Sequence, residues 1–126
     1  SRVDIAQIDT ARGILGDRLI AVQYQFSPSH PVPEHTMGHC ADLGLDFVCW
    51  SPLGGFLDAF DSHAYDPFRT VAAARGVSYQ RVVLAWELTR YDRLFTIPSA
   101  RNPHEVRDSF AAVNLTLAPE ELSLLP

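Results

Sequence analysis

Three short apolar runs, each separated from the next by at least one capped helical pattern, constrain this chain more than any other feature. The first, Leu19 to Phe26, is continuously apolar at its start, as in a strand covered on both faces, and Pro28 ends it. The second, Asp46 to Trp50, reads as another buried strand closed by Ser51-Pro52, and the third, Leu94 to Ile97, stops at Pro98. No hairpin turn joins any two of them. Strands alternating with helices in this way pair in parallel through crossovers, which makes the fold class α/β. Three parallel strands cannot close on themselves and leave two unpaired edges. The pattern therefore predicts either a small open sheet or one arc of something larger.

The helices are bounded by recognisable signals. Ser1 is placed to cap the first, with Asp4 favouring its positive end, Ile5, Ile8, Ala11 and Leu15 at helical spacing, and Gly16 as the stop. Prolines at 28, 31 and 33 make a loop before a short helix from Glu34 to Leu43, ended by Gly44. A long loop is expected from Gly54 to Asp66. Asp66-Pro67 then opens a helix that Gly76 terminates, and Ser78 caps another whose Val82, Val83, Leu84, Ala85, Trp86 and Leu88 are apolar nearly all round. Asn102-Pro103-x-Glu105 is a strong helix start, followed by an apolar stripe of Val106, Phe110 and Val113. Ala118 to Glu121 opens a last short turn, with Leu122 and Leu125 pointing inward.

Composition narrows the function classes. At 126 residues one domain with a real core is expected, and 10 Lys+Arg against 15 Asp+Glu gives a net charge of −5, which argues against nucleic acid as a partner. Two cysteines, Cys40 and Cys49, fit reduced thiols in a cytoplasmic setting, and no run approaches the roughly 20 apolar residues of a membrane span. There is no basic-then-apolar signal segment at the start.

The polar residues that could do chemistry gather after the strands. Gln23 and Gln25 lie near the end of the first, Trp50, Ser51 and Gly54-Gly55 follow the second, and Ser99 to Asn102 follow the third. Parallel α/β folds place ligands at those carboxyl ends, although the same residues also serve as ordinary turns. Ser99-Ala100-Arg101-Asn102-Pro103 leads into a helix N-terminus, which suits phosphate, although a plain capped helix with its arginine in water is the commoner outcome of such a match. His35 and His39 have metal-ligand spacing beside Cys40, but no third ligand follows, so they read as solvent-facing histidines and no metal is expected. Ser51 lacks the G-x-S-x-G elbow of a nucleophile, and Cys49 reads as an inert core thiol.

At Val48-Cys49-Trp50-Ser51-Pro52-Leu53-Gly54-Gly55 the chain resembles the "YSPLG" segment of the aldo-keto reductases. Val22 to Ser27 is similar to that family's "VQNEYS" strand, Ile97 to Pro103 to its "IPGTRNP" stretch, and Gly76-Val77-Ser78 with Val83 to Trp86 to its "GVSxxQVALAW" helix. Leu115 to Leu122 resembles its "LxLSPEEL" ending. The resemblance implies a (β/α)8 TIM barrel of which residues 1–126 form the C-terminal portion, the last three strands and their helices. The N-terminal half of the barrel would be missing, with truncation explaining the absent starting Met. It implies an oxidoreductase moving a hydride between NADP or NAD and a small-molecule carbonyl or alcohol. Gln23 would hydrogen-bond the nicotinamide amide and Trp50 would stack on its ring. Ser51, Leu53 and Gly55 would line the pyrophosphate path, Ser99, Ala100 and Arg101 would sit by the adenosine ribose and its phosphate, and Asp108 would contact the adenine side.

The chain also departs from the family's pattern. Ser99 stands where many relatives carry a phosphate-binding Lys, Glu105 where Arg or His contacts the 2′-phosphate, and Ser109 where Asn reads adenine. Gln25 replaces a common Glu, and Tyr24 the residue before it. The family's catalytic Asp, Tyr, Lys and His fall before Ser1, so no residue here inherits a catalytic role, and Tyr24, Tyr65, Tyr79 and Tyr91 are not taken as proton donors. The alternative within the same fold is a non-enzymatic cofactor-sensing subunit, like the β-subunits of potassium channels. The stretch with Phe56, Phe60, His63 and Tyr65 either faces cofactor and substrate or is a surface loop.

Overall fold

The structure, a computed structural model, describes residues 1–55 and 63–126. Phe56 and Phe60 lie outside the described residues. The elements run α1 (Ile5–Leu15), β1 (Ala21–Gln25), α2 (Glu34–Asp42), β2 (Asp46–Trp50), α3 (Asp66–Arg75), α4 (Tyr79–Leu88), β3 (Leu94–Ile97), α5 (Pro103–Phe110) and α6 (Pro119–Leu122). The sheet has the order β1-β2-β3, parallel throughout. Sequential order with crossovers of one hand puts every connecting helix on the same face, so this arc curves like part of a barrel and is not doubly wound.

Register makes the consequence visible. Val22, Phe47 and Leu94 align across the strands, as do Tyr24, Cys49 and Thr96, and these rows point at the helices. Phe47 and Cys49 are fully enclosed, Tyr24 stacks on Phe47 at 5.1 Å, and Trp86 of α4 meets Phe26 and Phe68 at 5.5 and 5.2 Å. Burying one such phenyl ring is worth about 1.5–3 kcal/mol. The intervening rows point the other way: Gln23, Val48 and Phe95, then Gln25, Trp50 and Ile97. Phe95 is 54% exposed and Ile97 50%. The expectation of strands covered on both faces is thus corrected. One face is packed, and the other is the concave side that a closed barrel would turn inward.

Both flanks of the arc are also apolar and open. The stripe that runs from α5 into the 111–114 turn is exposed at Val106, Phe110 and Val113, because α5 lies beyond β3 and no further described strand follows it. Ile14 and Ile20 are exposed on the β1 side.

Local signals account for most boundaries. Asp4, not Ser1, caps α1: its carboxylate accepts from Gln7 N–H at 2.8 Å while the Gln7 side chain accepts from Asp4 N–H, also at 2.8 Å. α3 begins at Asp66 itself, since a helical turn at His63–Tyr65 runs straight into it. Ser78 and Asn102 cap α4 and α5 as expected. The C-terminal segment is tied down by Arg75, which donates to both Glu121 oxygens at 2.8 Å and to Thr116 O at 2.5 Å, and by Trp86 Nε1–H to Pro126 O at 3.1 Å. The Arg75 guanidinium pulls the Glu121 carboxyl down to about 2. Among the described residues, no helix is long and apolar enough to cross a membrane.

Candidate functional site

The carboxyl ends of the strands carry the polar residues, and the pleat decides which of them face the open side. Gln23 is exposed there, one row below Gln25 and Trp50. Trp50 is held in orientation, since its indole N–H donates to Ser1 Oγ at 3.1 Å, while Arg2 N–H donates to Gln23 O at 3.1 Å. Ser1, given only a capping role by local pattern, therefore belongs to this end of the molecule. Nothing in its sequence neighbourhood signals a partner 49 residues away.

Beyond Trp50 the chain folds into a tight turn. Ser51 has φ +48°, Gly54 N–H donates to Ser51 O at 3.0 Å, and Gly54 and Gly55 have φ +103° and +79°. A Cβ at Gly55 would lie 2.9 Å from Ser51 Oγ, so both its conformation and its space require glycine. Leu53 packs partly against the core, with Gly55 exposed beside it. Strained backbone of this kind concentrates where ligands are held.

After β3, Ser99, Ala100 and Arg101 are exposed, and Asn102 accepts the Glu105 N–H at 3.0 Å. Arg101 is already engaged. Its Nε and Nη2 donate to Glu105 Oε1 at 3.1 and 2.8 Å, and its backbone N–H donates to Oε2 at 2.7 Å. These bonds from Arg101 hold the Glu105 carboxyl below the usual range, so an internal carboxylate occupies the cationic position of this turn.

Asp108 is also engaged. One oxygen accepts from Arg81 Nε and Nη2 at 3.0 and 2.6 Å, and the other accepts from the Ser78 hydroxyl, which ties α5 to the start of α4. Replacing Asp108 by Ala strands the Arg81 guanidinium, 28% exposed, and is expected to cost about 2–3 kcal/mol of stability, read by denaturant unfolding. A loss below 0.5 kcal/mol would mean that the brace is idle.

The remaining candidates scatter. His39 pairs with Asp9 of α1 at 2.6 Å, and His35 is exposed. His63 bonds Asp66 at 3.0 Å, while Tyr65 is buried with its hydroxyl 3.1 Å from Ser29 Oγ. Both cysteines are buried, and burial pushes the Cys49 thiol well up.

Comparison with known proteins shows what the whole chain is similar to. The chain matches the Aldo/keto reductase family over residues 1–125. It is 32% identical over 125 residues to pyridoxine 4-dehydrogenase of Escherichia coli, covering 99% of this chain and 42% of that protein. Among solved structures, a thermostable aldo-keto reductase in complex with the inhibitor epalrestat superposes with a TM-score of 0.85 at 22% identity, covering 98% of this chain and 44% of that one. A mutant of Gox0644 in complex with NADPH gives a TM-score of 0.79 at 16% identity, over 97% and 42%. The chain spans less than half the length of these relatives.

Proposed function

This chain belongs to the aldo/keto reductase family, and from that premise we propose that residues 1–126 are the dinucleotide-gripping arc of a complete (β/α)8 barrel oxidoreductase acting on a small carbonyl or alcohol. The observation that carries this reading is the uncovered concave face holding Gln23 and, one row on, the braced Trp50, continued by the glycine turn at 54–55. A nicotinamide cofactor supplies the hydride donor or acceptor when bound. The fit to the residues present is favourable at that end. The Gln23 amide has a donor and an acceptor for a carboxamide, Trp50 offers a flat face fixed by Ser1, and Ser51, Leu53 and Gly55 leave backbone close to where a diphosphate would run.

At the ribose end the fit is selective. Ser99, Ala100 and Arg101 line it and Asp108 braces it, but the Glu105 carboxylate takes up both the Arg101 guanidinium and its N–H. A ribose hydroxyl can share that arrangement by donating to the carboxylate, whereas a 2′-phosphate must displace it or sit beside a like charge. We therefore read the chain as favouring NAD over NADP. In the complete protein, NADH is expected to bind about tenfold tighter than NADPH, and Glu105→Gln to narrow that gap about tenfold, measured by nucleotide fluorescence titration. Tighter NADPH binding that Glu105→Gln leaves unchanged would overturn this reading.

A further inference from the structure

Glu87, in the last turn of α4, is the one Asp, Glu, Lys or Arg among the described residues that is wholly enclosed. Neither of its carboxyl oxygens has a hydrogen-bond partner among those residues. The described elements most closely packed on α4 are α3, β3, α5 and the 111–114 turn, with Phe26, Pro126 and Cys49 of β2 also against it. Their charges are committed elsewhere: Asp66 with Arg69, Arg75 with Glu121, Glu105 with Arg101 and Asp108 with Arg81, while His104 and Arg107 are exposed. β3 and the 111–114 turn carry no charged residue. Arg90, one turn on, lies over the Trp86 ring at 5.5 Å and reaches Glu34 at 3.5 Å. The buried Cys49 thiol of β2 is the titratable group that feels Glu87. Among the described residues a carboxylate in this position would have no counter-charge, and an unpaired buried ion costs several kcal/mol.

We infer that Glu87 is a proton-operated latch: α4 lies closed on the sheet only while Glu87 is protonated, and loss of that proton to solvent releases α4 and the β3 strand that follows it. Burial raises the Glu87 carboxyl from 4.5 to about 10. A raised folded-state value means that the contribution of the neutral acid to stability is fully present below about 4.5. It declines as pH rises, and is lost through about 10. This sense is opposite to that of Glu121, whose lowered carboxyl stabilises the fold above about 4.5 and ceases to do so as pH falls through about 2.

The test compares the chain with Glu87→Gln, which keeps the shape and removes the titration, in denaturant unfolding between pH 5 and 9. The unfolding constant of the parent chain relative to the variant is expected to rise about tenfold per pH unit. Amide exchange at pH 9 is expected to be faster in α4 and β3 of the parent than of the variant. A ratio constant with pH, or equal exchange at pH 9, overturns the latch. If Glu87→Gln does not fold, Glu87→Leu serves in the same comparison. No nucleotide enters the experiment, so its outcome is separate from the proposed cofactor role.

Discussion

Assayed alone with NADH or NADPH and an aldehyde, this chain is expected to give no turnover above buffer, and turnover is expected to appear when it is mixed with a polypeptide carrying the preceding β/α units of the barrel. Reduction of a carbonyl needs a proton delivered as the hydride arrives, and a positioned general acid is worth about 10²–10⁴ in rate. The tyrosines here are occupied in other ways. Tyr24 donates to Val3 O, Tyr91 donates to Leu45 O at 2.7 Å, Tyr65 is buried against Ser29, and Tyr79 lies under the Arg69 guanidinium at 5.0 Å. Burial pushes Tyr24 and Tyr91 above the ordinary phenol value, away from what a donor near neutral pH requires. The surfaces left open are those that further barrel units would cover. These are the outer edges of β1 and β3, the concave Phe95 and Ile97, and the α5 stripe of Val106, Phe110 and Val113. A groove of about 360 Å³ beside β1, lined by Val3, Ile8, Ala11, Leu19 and Val22, has the apolar wall that an added strand would pack on. Turnover by the isolated chain would contradict this account, as would a mixture that stays silent although the two parts form a stable complex.

Much of this arrangement was legible in the sequence, and the parts that were not share a physical cause. The limits of β2 and β3 follow from apolar runs stopped by proline, and the starts of α4 and α5 from Ser78 and Asn102, all of which are local signals. The order of motifs placed the chain in its family. The open face was not legible, because alternation in β1 is masked by apolar neighbours outside the strand, Leu19 and Ile20, so the run reads as covered on both sides. The Ser1–Trp50, Arg75–Glu121 and Arg81–Asp108 contacts join residues 27 to 49 positions apart, beyond any periodicity. Arg101 and Glu105 are only four apart, yet by sequence Glu105 reads as a helix-start acid at the 2′-phosphate position and Arg101 as a phosphate ligand or a solvated cation, and the pair becomes visible only in the structure. Glu87 carries a signal in the sequence itself. An acid inside a helix apolar nearly all round is a conflict between pattern and residue, and such conflicts mark strain or function.

The second large effect concerns Trp50. In the complete barrel, Trp50→Ala is expected to weaken NADH binding by about 1–3 kcal/mol, roughly fivefold to 150-fold, the value of stacking a flat aromatic group on an indole. Within this arc the Trp50 indole touches Ser1 and lies outside the core between sheet and helices, so the substitution leaves that core intact. Thermal unfolding of the variant checks this separately from binding.

NADH titration of the complete protein, parent and Trp50→Ala side by side, therefore bears most directly on the claim that this arc grips the dinucleotide. The account predicts saturable binding by the parent and a constant at least about fivefold weaker for a variant that remains folded. Equal affinities, or no binding of either nicotinamide nucleotide by the folded parent, would contradict it.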